Sequence, residues 1–148
     1  MSENILVTGA GGFIGHHLIK YLKSRGYWVR GVDVKLPEYE ESSADEFHIL
    51  DLRRRDNCLV STKGIDQVYN LAADMGGIGY ITAYLADIAR NNILINTHML
   101  EASQINNVHR FFYSSSACIY PSYMQTSSDV TPLKESDASP PDPEEGYG

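Results

Sequence analysis

The chain has 148 residues, with 12 basic and 19 acidic side chains and a net charge of −7. This acidic balance gives no general attraction to nucleic acid or anionic lipid, and no segment reaches the ~20 apolar residues of a membrane span, so we expect neither partner. The two cysteines, Cys58 and Cys118, have no CxxC or histidine spacing around them, which argues against a disulfide framework or a metal site and favours a soluble protein of the reducing cytoplasm.

The apolar periodicity alternates between strand and helix along the chain. A β-rich segment at 4–8 runs into a glycine-rich turn, and a helix follows that we expect to end near Gly26. The later predicted elements are strands at 27–33, 46–51, 66–73 and 109–116, a short helix at 56–63, a second glycine-rich loop at 75–80, a helix from about 84 to 106 and, after Pro121, a long irregular loop. This alternation predicts an α/β fold, a Rossmann-type parallel sheet with helices on both faces.

The long helix from about 84 to 106 carries two apolar stripes. One stripe consists of Ile88, Ile95, Met99 and Ala102, and the other of Ile93 and Leu100. Two stripes on one helix predict that it buries two faces.

Polar residues stand at or just past the carboxyl ends of the predicted strands. These residues are Asp33, Asp51, Asp74 and the serines from Ser114 to Ser116. Because all strands of a parallel sheet end at the same edge, and open α/β sheets bind ligands there, we expect the functional site at this edge.

The segment TGAGGFIG places three glycines between the first strand and the first helix. Gly9 allows the tight turn, Gly12 lets the backbone approach a pyrophosphate, and Gly15 permits close packing of the helix. The helix start, with Phe13 and Ile14, offers free N–H groups and a positive dipole to the phosphates. The pattern in this strand–turn–helix context predicts a dinucleotide site.

Asp33 indicates which dinucleotide binds. It follows Gly15 at the end of the second strand, where its carboxylate can hold both hydroxyls of the adenosine ribose and repel a 2′-phosphate. NAD is therefore favoured over NADP, although the nearby Lys35 weakens the argument. Asp51 and Leu52 are expected to flank the adenine; the alternative for Asp51 is a turn or helix N-cap residue.

Four motifs in this order resemble the extended short-chain dehydrogenase/reductase family: the glycine motif, NLAA, the serine triplet and the terminal YG. Members bind NAD and act on nucleotide-sugars. The resemblance implies further cofactor-binding residues, namely Leu71, Ala72, Ala73, Ser114 and Tyr147. Asn92 either supports the cofactor side of the site or satisfies backbone groups of its own helix.

Within that family, NLAADMGGIGYI, RFFYSSSACIYP and LKESDA are similar to the GDP-mannose 3,5-epimerases. This closer resemblance implies GDP-mannose as substrate, oxidation at C4, epimerisation at C3 and C5, and re-reduction. It assigns catalytic roles to Ser116, which binds the sugar hydroxyl, to Tyr147, which takes its proton, and to Cys118, one member of the acid–base pair. The implied substrate contacts are Gly76, Gly77, Ser116, Ala117 and Cys118.

Several alternatives stay open. A cysteine just after a buried strand is more often an inert core residue than an acid or base, and Cys58 is expected to be structural. Gly76 and Gly77 form a flexible loop in the alternative to a sugar contact. The protein itself is alternatively another nucleotide-sugar epimerase or dehydratase with a passive Cys118, or a non-catalytic NAD-binding module.

The last residue, Gly148, follows Tyr147 directly, so the lysine of a Tyr-x-x-x-Lys motif would fall three positions further on. We therefore expect residues 1–148 to be the NAD-binding Rossmann domain of a longer, homodimeric enzyme, without its last strands and substrate domain. Alone, this chain is expected to bind NAD weakly, to turn over nothing and to self-associate.

Overall fold

The computed structural model describes residues 3–38, 40–116, 119–124 and 132–139. Five parallel strands form one sheet in the order β3-β2-β1-β4-β5. The strands are β1 (Asn4–Thr8), β2 (Trp28–Asp33), β3 (Glu46–Ile49), β4 (Gln67–Asn70) and β5 (Arg110–Tyr113). This strand order is that of a Rossmann sheet, and it confirms the predicted fold class.

The described residues also form four helices: α1 (Phe13–Ser24), α2 (Arg55–Thr62), α3 (Ile78–Ala83) and α4 (Leu85–Ile105). The short α3 lies where the sequence predicts only a glycine-rich loop. The segment after Pro121, predicted as a long irregular loop, contains two 3₁₀ turns among its described residues, Ser122–Met124 and Glu135–Ala138.

Helices cover both faces of the sheet because alternate residues of each strand point to opposite sides. In β1, Ile5 and Val7 join a core cluster that includes Ile19 and Leu22 of α1. Leu6, between them, joins the cluster on the other face, which contains Cys58 of α2 and Met99, Ile95 and Ala102 of α4. The central strand is thus apolar on both sides, as in other parallel sheets.

Helix α1 follows from its sequence pattern. The buried positions Gly15, His16, Ile19 and Leu22 repeat at helical spacing and face the sheet. The helix ends at Ser24, and Gly26 beyond it has φ +83°, the left-handed conformation typical of a residue just after a helix. Burying a side chain such as Ile19 or Leu22 stabilises the fold by about 1.5–3 kcal/mol each.

Helix α4 buries only one of its two apolar stripes. Ile88, Ile95, Met99 and Ala102 are buried as predicted, whereas Ile93 is 61% and Leu100 54% exposed. The prediction of a second buried face is therefore wrong for this chain. Ile95, Met99 and Ala102 pack in the core cluster that includes Leu6 and Val68 of the sheet, whereas Ile93 and Leu100 are not part of it.

The chain divides into two compact units, Met1–Asp74 with Asn91–Ser114, and Met75–Arg90 with Ser115–Gly148. The first unit contains the whole sheet. In the part of the chain that the structure describes, no helix is long and apolar enough to cross a membrane. No group of three or more His, Cys, Asp or Glu side chains among the same residues is placed to hold a metal ion.

Candidate cofactor-binding site

The glycine-rich turn lies beside the junction of β1 and β4, where the chain order of the sheet reverses. Gly9 directly follows β1 and has φ +67°, a left-handed conformation that other residues adopt only at a cost. A Cβ atom at Gly9 would lie 2.9 Å from both the carbonyl carbon and the carbonyl oxygen of Leu71, just after β4. Glycine is therefore required here for the turn and for the contact between the two segments.

The turn closes onto the start of α1. Gly12 is the N-cap residue, and its N–H donates to the carbonyl oxygen of Gly9 at 3.1 Å. A Cβ atom at Gly15 would lie 2.2 Å from the same oxygen, so the close packing predicted for Gly15 is made with the turn. No side chain caps the first turn of α1, where Phe13 and Ile14 are exposed. This helix end therefore offers main-chain N–H groups and a positive dipole to an anion.

Asp33, the last residue of β2, faces the glycine-rich turn. Its Oδ2 accepts a hydrogen bond from the N–H of Gly11 at 2.9 Å, and its Oδ1 accepts from the N–H of Val34 at 2.6 Å. The carboxylate thus stands at the sheet edge beside the turn, as predicted, and it also holds the turn in place. Contact with a ribose stays a prediction.

Gly11 is a site residue that sequence reasoning missed. A Cβ atom there would lie 2.3 Å from the carbonyl oxygen of Lys35, so the turn approaches the segment after β2 more closely than any other residue allows. The doubled glycine in GAGG was the available signal, because the three-glycine motif does not itself require a glycine at this position.

The hydroxyl of Thr8 connects the end of β1 to the segment after β4. Its Oγ1 donates to Oδ1 of Asn70 at 2.9 Å and accepts from the N–H groups of Leu71 and Ala72, both at 3.0 Å. These two N–H groups are thereby withdrawn from the sheet. The fourth strand consequently ends at Asn70 and not at 73 as predicted, and Leu71, Ala72 and Ala73 form an irregular segment at the carboxyl edge.

Replacing Thr8 by valine is expected to lower the free energy of unfolding by roughly 2–4 kcal/mol. The change keeps the shape but leaves the oxygen of the buried Asn70 side chain without its donor, at about 1–3 kcal/mol, while the half-buried N–H groups of Leu71 and Ala72, which water partly satisfies, add about 1 kcal/mol together. Urea denaturation of the full-length protein measures this loss. Thr97→Val is the matched control, because the exposed Thr97 hydroxyl bonds only within α4; equal losses from both variants would contradict the assigned role.

Asp51 forms a tight turn with Arg53. The Asp51 carboxylate accepts from the main-chain N–H of Arg53 at 3.0 Å and from its guanidinium Nη2 at 2.7 Å. The hydrogen bonds from Arg53 hold the pKa of Asp51 below its usual range. The turn role that was the alternative for Asp51 is thus present. Leu52 is buried in the core cluster with Leu6 and Cys58; adenine contacts of Asp51 and Leu52 stay predictions.

The side-chain amide of Asn92, on α4, bonds to the main chain of Asp74. Its Oδ1 accepts from the main-chain N–H of Asp74 at 2.7 Å, and its Nδ2 donates to the carbonyl oxygen of Asp74 at 3.1 Å. The neighbouring Asn91, which the sequence did not single out, donates to Oδ2 of Asp74 at 2.7 Å. Both asparagines therefore act on the segment that follows β4.

The remaining predicted site residues are placed as follows. Ser114 follows β5, is exposed, and donates its main-chain N–H to the carbonyl oxygen of Asn70 at 3.3 Å. In the second unit, Ser116 is half-buried, Gly76 is exposed, and Gly77 caps the start of α3. Ala117, Cys118 and Tyr147 lie outside the described residues, so their assigned contacts stay predictions.

Cys58 lies on the buried face of α2, and its Sγ donates to the carbonyl oxygen of Leu52 at 3.1 Å. Burial raises the pKa of the Cys58 thiol to about 12. At pH 8 the native protein should therefore hold Cys58 as the neutral thiol, with a thiolate fraction roughly 10³-fold below that of a free cysteine.

Alkylation of the native protein with iodoacetamide at pH 8, followed by peptide mass mapping, is expected to leave the Cys58 peptide unmodified. The same treatment in denaturant should modify it fully, which is the control for reagent and detection. Rapid labelling of Cys58 in the native state would contradict a purely structural role for this thiol.

The residues of the first unit fit a dinucleotide. The turn is built from glycines whose Cβ atoms would collide with neighbouring backbone, and it delivers an uncapped helix N-terminus to the carboxyl edge of the sheet. The carboxylate of Asp33 stands beside it, at the end of the neighbouring strand. A turn that approaches a pyrophosphate, a dipole that attracts it and a carboxylate for the ribose are the three parts of an NAD site.

Comparisons with known proteins agree with this geometry. The chain is 52% identical to GDP-mannose 3,5-epimerase 1 of Oryza sativa subsp. japonica over 146 residues, covering 97% of this chain and 38% of that protein. It is 50% identical to GDP-mannose 3,5-epimerase of Arabidopsis thaliana over 151 residues, covering 99% of this chain and 40% of that protein. The chain thus spans about two fifths of the length of these curated relatives.

A solved structure shows the same architecture. The UDP-glucose 4-epimerase of Thermotoga maritima, determined with UDP-glucose, superposes with a TM-score of 0.81 at 28% sequence identity, covering 98% of this chain and 46% of that one. The model of the NAD dependent epimerase/dehydratase family matches residues 5–148, which confirms the resemblance to NAD-binding nucleotide-sugar enzymes and the choice of NAD. The chain therefore belongs to the NAD dependent epimerase/dehydratase family.

Proposed function

We propose that this chain is the cofactor-binding part of an NAD-dependent epimerase that acts on GDP-mannose at C3 and C5. The observation that carries the proposal is the glycine-rich turn packed against the segment after β4, in a chain about half identical to two GDP-mannose 3,5-epimerases. The segments that resemble those enzymes begin on two neighbouring strands: NLAADMGGIGYI begins at Asn70, the last residue of β4, and RFFYSSSACIYP begins with the four residues of β5. A homodimer in the cytoplasm is part of the proposal, from the resemblance and from the lack of CxxC or histidine spacing around the two cysteines.

The cofactor part assigns a role to each group of residues. The main-chain N–H groups at the start of α1 would bind the pyrophosphate, with Gly12 allowing its approach. Asp33 would accept hydrogen bonds from the adenosine ribose, and the charge of its carboxylate would disfavour a 2′-phosphate. NAD, when bound, supplies the reversible oxidising power for a sugar carbinol.

The sugar part rests on three side chains. Ser116 would hold the C4 hydroxyl through a hydrogen bond, and Tyr147 would accept its proton as a general base. A ketone at C4 makes the protons on C3 and C5 acidic, and the Cys118 thiol would transfer one of these protons. A thiol suits this exchange, because its free pKa of about 8.5 responds strongly to nearby charge.

Solvent exchange tests the proposal directly. The full-length protein is incubated with GDP-mannose in D₂O, and the recovered sugar is analysed by mass spectrometry and proton NMR. We expect deuterium at C5 and at C3. Epimerisation only at C4 of a UDP-sugar, without incorporation of solvent deuterium at C3 or C5, would instead assign the 4-epimerase reaction named for the solved structure.

A further inference from the structure

The segment Leu71–Asp74 is held at both of its ends by side chains from other elements. At its start, the Thr8 hydroxyl accepts hydrogen bonds from the N–H groups of Leu71 and Ala72. At its end, the side-chain amide of Asn92 makes two hydrogen bonds to the main chain of Asp74. It accepts from the Asp74 N–H and donates to the Asp74 carbonyl oxygen. Ala73 is the exposed residue between the two anchors.

This segment forms one wall of the glycine-rich turn. A Cβ atom on Gly9 would lie only 2.9 Å from the carbonyl group of Leu71, so the segment and the turn are in close contact. A shift of the segment away from the turn would remove this contact. Hydrogen bonds to the main chain are well suited to prevent such a shift, because they fix the backbone directly and not through a side-chain rotamer.

A chain of polar contacts extends the anchor towards the third strand. Asn91 donates to Oδ2 of Asp74 at 2.7 Å, and its Oδ1 accepts from Nη1 of Arg53 at 3.4 Å. Arg53 in turn donates to the carboxylate of Asp51. The hydrogen bonds that Arg53 donates to Asp51 raise the pKa of Arg53, and the charges of Asp51 and Asp74 add to this effect. The segments after β3 and β4 are therefore connected through α4.

We propose that Asn92, supported by Asn91, is a positioning residue: it holds the segment Leu71–Asp74 in the place that NAD binding requires, without contacting the cofactor. The two adjacent amides bind different parts of Asp74: Asn92 bonds to its main chain and Asn91 to its carboxylate. The inference rests on the proposed NAD site and extends it to a residue pair on the helix behind the segment.

The test compares Asn92→Ala, Asn92→Asp and Thr97→Ala in the full-length protein. NAD affinity is measured by calorimetric titration, and exchange of the Asp74 amide is measured by hydrogen–deuterium exchange of the NAD-free protein. Asn92→Ala removes both hydrogen bonds and is expected to raise the Kd for NAD about tenfold, because NAD must then order a segment that is no longer held. The Asp74 amide should then exchange at least about tenfold faster.

The other two variants separate the causes. Asn92→Asp keeps an oxygen that accepts from the Asp74 N–H, so this amide should stay protected while NAD affinity falls through the lost donor. Thr97→Ala alters the same helix at an exposed position and should change neither readout.

Two results overturn the inference. Faster exchange at Asp74 with unchanged NAD affinity would make the anchor purely structural. Weaker NAD binding of Asn92→Ala with unchanged exchange at its Asp74 amide would make Asn92 a direct cofactor contact. Failure of the unsubstituted protein to bind NAD is a separate result, because it overturns the proposed function and this inference with it.

Discussion

Replacement of Gly9 by alanine is expected to weaken NAD binding at least about tenfold and to lower the free energy of unfolding by roughly 2–4 kcal/mol. Two costs add. A residue with a side chain pays about 1–2 kcal/mol for the left-handed backbone at φ +67°. The added methyl group also lies 2.9 Å from the carbonyl carbon of Leu71, so either the turn or the segment after β4 must move.

Gly64→Ala is the matched control for this prediction. Gly64 has φ +72°, nearly the value at Gly9, but a Cβ atom there meets nothing within 4 Å. It also precedes β4 and so lies at the opposite edge of the sheet. The control should lose only about 1–2 kcal/mol of stability and none of its affinity for NAD. Calorimetric titration measures the NAD affinity of both variants, and urea denaturation measures their stability. Equal NAD affinities in the two variants would show that the turn is not part of the cofactor site.

Replacement of Cys118 by alanine is expected to reduce deuterium incorporation at C5 of GDP-mannose by at least about 10²-fold, the lower range of what a positioned acid or base contributes. Oxidation at C4 does not use the thiol in the proposed scheme. Transient reduction of NAD, followed by its absorbance at 340 nm in a single turnover, should therefore persist in the variant.

Cys58→Ala is the control for loss of a thiol. Cys58 lies in the core, where the change opens a small cavity and lowers stability, but its thiol takes no part in the proposed chemistry. Exchange at C5 should survive in this variant when it is normalised to folded protein. If the Cys118 variant also keeps its exchange at C5, Cys118 is passive, and the alternative of another nucleotide-sugar epimerase or dehydratase gains support.

Much of the candidate site could be predicted because its signals are local. A strand followed by TGAGGFIG and an apolar helix specifies a turn of one kind, and the aspartate at the end of the next strand follows at a set distance in the chain. The structure accordingly places Gly9, Gly15 and Asp33 together. Gly11 and Asn91 were missed because their partners, the Lys35 carbonyl and the Asp74 carboxylate, are brought near only by the folded sheet.

The end of β4 and the exposed face of α4 also depend on residues that are distant in the chain. Leu71 and Ala72 continue an apolar run that predicts a longer strand. The hydroxyl of Thr8, however, accepts hydrogen bonds from both of their N–H groups, and the strand pairing ends at Asn70. Ile93 and Leu100 have the spacing of a buried stripe, yet they are exposed, since a stripe is buried only where a surface exists to cover it.

The sequence by itself therefore determined the parallel sheet, the order of its elements, the glycine-rich turn and the choice of NAD, because periodicity, turn chemistry and motif spacing act over a few residues. Only the tertiary structure decided where β4 stops, which face of α4 is buried and that Asn92 holds Asp74. Those features depend on hydrogen bonds and contacts between residues far apart in the chain, which no local pattern encodes.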